Sequence, residues 1–240
     1  MNKTAAVKRV CEHTSAGRGR SIPASSSATS LVLLLSLVCV AQTGKVEKFG
    51  PLTDKGISEA VRQTLDSNGY RVFLEDGNPI CELWLRKGVP SQTAKDIQSV
   101  AYAELAESTL VGVLHLLQAA TDYRGDGIPV GFYTLRYALL PNDGNHLGAA
   151  PNRDFVLLIP ASSDPDPNAV FKIQELESLS RKVTGAKHPA PLSLIQPDNN
   201  GKEPTVSKDD QDHWTFSASI KLASGQDLPF GLIVKGTTQQ

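Results

Sequence analysis

HWTFSASIK, residues 213–221, alternates apolar and polar side chains almost without exception. Successive side chains of a β-strand point to opposite faces, so this stretch predicts a strand that turns Trp214, Phe216, Ala218 and Ile220 inward. After Gly225, a second apolar run predicts the last strand of the chain. The C-terminal part of the sequence therefore indicates a β fold.

Further apolar segments predict strands in the rest of the chain, with turn residues between them. These strands cover residues 70–74, 80–86, 109–117, 128–140 and 154–160, and the run after Gly225 covers 228–235. The Asp76-Gly77 pair predicts a hairpin between the first two. Short strands separated by turns favour a mainly β fold, either an antiparallel β-sandwich or a jelly-roll-like barrel, with one or two peripheral helices.

The other segments carry weaker patterns. Helical spacing of apolar residues predicts helices over 53–68 and 168–184, the second ending before Gly185. Residues 42–52 are predicted to be a polar lead-in, and 91–105 fit either a helix or an extended chain. Because residues 186–212 are rich in Pro, Asn, Asp and Lys, we expect a surface excursion, interrupted by a short apolar patch at 192–195.

The first 41 residues have the composition of a secretory signal. A basic leader and a Ser-rich stretch precede an uninterrupted apolar run at 31–41, which is too short for a spanning helix of roughly 20 residues. Small side chains at Cys39 and Ala41 predict cleavage before Gln42, whereas bulky Val38 disfavours a lipoprotein acylated at Cys39. We expect a cleavable signal peptide at 1–41, one β-sandwich domain at 42–240, and a secreted or periplasmic product that meets the membrane only transiently.

Charge and cysteine content exclude several classes of protein. The chain has 24 Lys and Arg against 25 Asp and Glu, which gives no positive field for a nucleic-acid partner. Cleavage would leave Cys81 as the only thiol, so no intramolecular disulfide is expected. Cys81, Leu83 and Leu85 share one face of a predicted strand, which predicts a buried and unreactive thiol.

The densest polar cluster surrounds the connection that follows the strand at 128–140. Its candidate ligand-binding residues are Arg136, Asp143, Asn145, His146, Arg153 and Asp154. Loops at the ends of a sandwich commonly carry binding sites, and an imidazole beside a carboxylate could hold a metal or act as a base. The alternative is that Asp143-Gly144-Asn145 forms only a turn and that the other charges make ion pairs.

The sequence Asp164-Pro165-Asp166-Pro167-Asn168 is a second candidate. Its alternate oxygen side chains have a calcium-loop spacing, but alanine replaces the required glycine, so capping of the following helix by Asp166 or a neighbour is the preferred interpretation. Motifs for a nucleophile elbow, a phosphate loop and a zinc protease are absent from the sequence. The sequence therefore leaves the cofactor unknown, and it contains no recognisable motif for hydrolase or nucleotide chemistry.

Three segments of the sequence can be compared with known families, namely Gly131-x-Tyr133-Thr134-Leu135-Arg136-Tyr137, Asp143-Gly144-Asn145-His146 and Arg153-Asp154-Phe155. They resemble segments in uncharacterised exported proteins of environmental bacteria. The resemblance implies a bacterial, secreted or periplasmic protein of unknown function, and it implies no catalytic residues.

The leading hypothesis is a non-enzymatic exported module that binds a small molecule or a component of the cell envelope through the polar cluster. The alternative is a metal-assisted hydrolase in which His146 binds the metal and a neighbouring Asp activates water. A purely structural envelope protein is expected if the cluster scatters over the surface.

Overall fold

A computed structural model describes residues 44–94, 99–141, 152–197 and 201–237. The predicted signal peptide lies outside the described residues. The described residues form helices α1 (Glu59–Thr64) and α2 (Ile173–Thr184), a 3-10 turn at Ala161–Ser163, and twelve strands: β1 (Lys45–Phe49), β2 (Gly69–Phe73), β3 (Pro79–Leu85), β4 (Leu110–Leu116), β5 (Ala120–Thr121), β6 (Gly127–Ile128), β7 (Gly131–Leu139), β8 (Asp154–Pro160), β9 (Pro191–Ile195), β10 (Thr205–Lys208), β11 (Trp214–Lys221) and β12 (Asp227–Lys235).

Ten strands form one antiparallel sheet in the order β1-β2-β3-β4-β7-β8-β9-β12-β11-β10, and β5 pairs with β6 in a separate hairpin. The sheet curls until it is nearly closed into a barrel. At the seam, the Gly44 amide donates to the Val206 carbonyl oxygen at 3.1 Å. The predicted mainly β, antiparallel fold with peripheral helices is therefore confirmed.

Alternate residues of the strands fill the inside of the barrel. The buried core includes the predicted inward residues of β11 and the face of β3 that carries Cys81, Leu83 and Leu85. The predicted burial of Cys81 is confirmed, and burial raises the pKa of its thiol to about 12. The Asp76-Gly77 hairpin between β2 and β3 is also confirmed, with Gly77 in the left-handed conformation at φ 73°.

One end of the barrel is crossed by the described residues between β3 and β4, 86–94 and 99–109, which we call the plug between β3 and β4. Val89, four residues after the end of β3, pairs with Leu222, just beyond β11 on a distant part of the sheet. Tyr102 is fully buried below this crossing, donates its hydroxyl to the Ile195 carbonyl oxygen at 2.6 Å and accepts from the Gly231 amide at 2.9 Å. Tyr102 therefore anchors the plug between β3 and β4 to both β9 and β12.

The other end is crossed by the β5–β6 hairpin. Ile128 of this hairpin is 2 % exposed and belongs to the main core cluster. At the tip, the Tyr123 amide donates to the Pro191 carbonyl oxygen at 2.8 Å, and the Tyr123 ring packs against Phe155. Tyr102 and Ile128 therefore fill the barrel from its two ends, whereas Tyr123 packs on the outer wall, because Phe155 faces outward.

Two predictions about secondary structure are wrong. The predicted polar lead-in contains β1, and the predicted surface excursion contains β10 and the central strand β9. Leu192 and Leu194 of β9 are buried in the core between β8 and β12. Because β9 has five residues and turn-forming flanks, local composition favoured a loop although tertiary pairing makes it a strand. The described parts of 91–105 form neither a helix nor a strand.

The predicted start of the second helix is also wrong. α2 begins at Ile173 instead of residue 168, and the Glu175 carboxylate accepts from the Lys172 amide at 2.9 Å at its start. Val170, which the helical pattern placed on the apolar stripe, is 87 % exposed. Residues 164–169 instead run along the outer wall, where their carbonyl oxygens bind buried arginines.

Candidate functional site

Arg136 lies on the outer face of β7 and is fully buried under the segment that precedes α2. Its guanidinium donates to both carboxylate oxygens of Asp164, at 2.8 and 2.7 Å. The remaining donors reach the carbonyl oxygens of Ser108, Asp166 and Ala169 at 2.7–2.9 Å. All five N–H groups of Arg136 therefore have partners, and the residue ties the 164–169 segment to the sheet.

Arg86 occupies the same outer wall. It donates to the Pro167 carbonyl oxygen at 2.8 Å and to the Asn168 side-chain oxygen at 2.7 Å. Burial, and then the nearby charge of Arg136, lower the pKa of Arg86. The predicted capping of α2 by Asp166 is wrong, because the Asp166 side chain accepts from the Asn168 amide, five residues before the first residue of the helix.

Asp154 lies on the inner face of β8, on the side of the sheet opposite to Arg136. It is fully buried, and its carboxylate accepts from the Tyr137 hydroxyl at 2.6 Å and from the Ala101 and Tyr102 amides at 2.7 and 3.0 Å. Burial, and then hydrogen bonding to Asp154, raise the pKa of Tyr137. Asp154 therefore anchors the plug between β3 and β4 to the barrel.

Arg153 is half-buried at the start of β8 and donates through Nε to the Leu140 carbonyl oxygen at 2.8 Å. The described members of the predicted cluster are thus not brought together, because Arg136 and Asp154 point to opposite faces of the β7–β8 pair. Asp143, Asn145 and His146 lie outside the described residues. The predicted ligand-binding role of the six residues stays a prediction.

Three polar residues and one phenylalanine form a row across the outer face of four strands. Arg71, Glu82, His115 and Phe132 lie opposite one another on β2, β3, β4 and β7. Glu82 accepts from Arg71 at 2.6 Å and contacts His115 Nδ1 at 3.0 Å, while the His115 ring stacks on Phe132 at 3.8 Å between centroids. These cross-strand contacts stabilise the sheet. Among the described residues, no cluster of three or more His, Cys, Asp or Glu side chains has the arrangement of a metal site.

A groove of about 270 Å³ lies on the outer wall between α2 and the β7–β8 pair, and we call it the α2 groove. Its apolar lining is contributed by Tyr123, Leu140, Phe155, Leu157, Ile173 and Pro189. Leu157 reaches the groove because odd-numbered residues of β8 face outward, where Leu176 of α2 packs against it. The lining comes from five separate segments, so no single motif of the sequence revealed the groove.

Basic groups predominate on the polar lining of the α2 groove. Arg124, Arg181 and His188 line it together with one carboxylate, Glu177. Arg181 and Glu177 are one turn apart on α2, with 3.7 Å between Arg181 Nη1 and the carboxylate. An apolar lining with a few polar groups at its margin is the usual composition of a site for small ligands.

Two further cavities, of about 360 and 280 Å³, lie beside the β5–β6 plug and share Ile80, Gln118 and Lys235. Both are at least as large as the α2 groove, but exposed Gln118 and Lys235 line each of them. Most residues that line the α2 groove are buried or half-buried, which makes it the better candidate.

The turn that carries Arg124 is organised by a buried carboxylate. Asp122 is fully buried, and its Oδ1 accepts from the Arg124 and Asp126 amides, both at 2.9 Å. Its Oδ2 is buried with no hydrogen-bond partner in the described structure. Burial raises the pKa of Asp122 above its ordinary value of 3.8 against the opposing effect of the two amides.

We therefore expect the protonation of Asp122 to stabilise the fold at low pH. Since the folded pKa is raised, this stabilisation is fully present below pH 3.8 and is lost as the pH rises through the folded value. The measurement is the free energy of unfolding of the wild type minus that of Asp122→Asn, from urea titrations at several pH values. The difference should increase as the pH falls, and a difference that stays flat or decreases would contradict the assignment.

Comparison of the chain with protein-family models, with curated proteins and with solved structures found no match. The resemblance to exported bacterial proteins stays an expectation. Within the described residues, no helix is both long enough and apolar enough to span a membrane.

Proposed function

We propose that the protein is an exported, non-enzymatic binding module that takes an apolar ligand into the α2 groove. Export rests on the N-terminal basic leader, the apolar run and the small residues before Gln42. The observation that carries the binding role is the groove itself, a concave and mainly apolar surface on the outer wall of a barrel whose inside is filled.

The position of Asp154 favours binding over the alternative of metal-assisted hydrolysis. That alternative needs an Asp near His146 with an oxygen free for a metal or a water molecule. Asp154 instead accepts three hydrogen bonds inside the barrel, where it has no exposed surface. Asp143, the other carboxylate of the hypothesis, lies outside the described residues.

The test uses the neutral fluorescent probe N-phenyl-1-naphthylamine and the variant Ile173→Glu. Ile173 is half-buried and lines the groove at the first residue of α2, where an acidic side chain suits the helix terminus. A carboxylate at this position has to be desolvated when the probe binds. We expect the variant to weaken probe binding about tenfold, the equivalent of about 1.4 kcal/mol.

Val170→Glu is the matched control. It makes a similar change three residues earlier in the chain, at a side chain that is 87 % exposed and does not line the groove. The control should bind the probe as the wild type does. If the wild type does not bind the probe, or if both variants bind it equally well, the α2 groove is not the binding site.

A further inference from the structure

We infer that the ligand of the α2 groove is a single-chain carboxylate, with its hydrocarbon on the apolar lining and its charge beside Arg124 and Arg181. This inference rests on the proposed function, because it names the class of ligand for the same groove. The observation behind it is the charge of the lining, where two arginines and an imidazole accompany one carboxylate.

Arg124 is the first basic group available to such a ligand. Its side chain is exposed at the tip of the β5–β6 hairpin, and no ion pair between described residues includes it. The backbone of Arg124 is fixed, because its amide donates to buried Asp122. A cation at the margin of an apolar groove, with no ion pair among the described residues, is complementary to a ligand with an anionic end.

Arg181 is the second group, and its present partner holds it weakly. The contact with Glu177 is 3.7 Å long, and both side chains are about one third exposed, at 37 % and 33 %. Exposed pairs of this kind on a helix contribute little to stability. A carboxylate of the ligand can therefore share Arg181 with Glu177, or take the place of Glu177 as its partner, at little cost. It would gain the bidentate geometry that arginine offers.

The size of the groove favours one hydrocarbon chain. Its volume of about 270 Å³ lies just below the lower limit of about 300 Å³ for sites that enclose drug-sized ligands. A phospholipid with two acyl chains exceeds that space, whereas a single medium-length chain does not. We therefore assign a free carboxylic acid and not a membrane lipid.

The test compares decanoate with decanol, which have the same chain and differ in charge. Displacement of N-phenyl-1-naphthylamine at low salt gives the affinity of each for the full domain. We expect the wild type to bind decanoate about tenfold more tightly than decanol. The double variant Arg124→Gln/Arg181→Gln should bind both ligands with the affinity that the wild type has for decanol.

Lys182→Gln/Lys187→Gln is the matched control, because it removes two positive charges from exposed residues of the same region that do not line the groove. It should retain the preference for decanoate, and loss of the preference in this control would indicate a general charge effect and overturn the inference. Equal affinity of the wild type for decanoate and decanol would also overturn it. The proposed function would still stand in that case if Ile173→Glu weakens binding of the neutral probe.

Vesicles of an anionic phospholipid provide the remaining arm of the test. We expect the protein to stay in the supernatant when such vesicles are sedimented. Cosedimentation that requires Arg124 and Arg181, together with no binding of decanoate, would overturn the inference in favour of a membrane surface. Failure of the neutral probe itself to bind would instead remove the proposed function.

Discussion

Replacing Arg136 by methionine is expected to lower the free energy of unfolding by about 3–5 kcal/mol. The change leaves the fully buried Asp164 carboxylate without its cation. It also removes the donors for the carbonyl oxygens of Ser108, Asp166 and Ala169, which belong to two different segments of the chain. Urea titration followed by tryptophan fluorescence measures the loss.

The control for this prediction is Arg71→Met. Arg71 also pairs with a carboxylate, that of Glu82 at 2.6 Å, but its side chain is 39 % exposed, so the expected loss is below about 1 kcal/mol. Removing both charges in Arg136→Met/Asp164→Leu should cost less than the sum of the single changes, because no buried charge is left alone. A loss below about 1 kcal/mol for Arg136→Met would contradict the structural role.

Replacing Asp154 by alanine is expected to cost at least about 3 kcal/mol, because three donors to a buried carboxylate lose their acceptor. Two of these donors are the Ala101 and Tyr102 amides, so the loss should be concentrated in the plug between β3 and β4. Native-state hydrogen exchange measures this directly. Relative to the wild type, exchange should accelerate more at the amides around residue 102 than at those of β11.

Tyr137→Phe is the milder companion of this variant. It removes one donor to Asp154 and leaves the two backbone amides in place, so a loss of about 1 kcal/mol is expected. If Asp154→Ala is as stable as Tyr137→Phe, or if exchange rises equally throughout the barrel, Asp154 does not anchor the plug.

The strands that the sequence predicts correctly are those with a long, clear alternation. β11 and β7 have eight and nine residues, and each places alternate side chains inward as the period of two requires, such as Phe216 in β11 and Leu135 in β7. β9 has five residues and begins at a proline, so its hydrogen bonds with β8 and β12 have no local signal. Short strands of this kind depend on partners that are distant in the chain.

The candidate site could be predicted only in part, for a related reason. Arg136 and Asp154 were grouped because they lie close in the sequence on either side of one connection. The period of two indicates on which face of a strand a charged residue lies. It does not indicate that residues 164–169 cover the outer face of β7. The α2 groove was missed because Arg124, Leu157 and Ile173 become neighbours only after folding.

The position of the bound probe tests most directly whether the α2 groove is the binding site. Backbone amide chemical shifts of isotope-labelled residues 42–240 can be followed while N-phenyl-1-naphthylamine is added. If the probe binds in the α2 groove, we expect saturable shifts at its lining residues Tyr123, Leu140, Ile173 and Arg181. Shifts confined to the cavities beside the β5–β6 plug, around Ile80, Gln118 and Lys235, would contradict it.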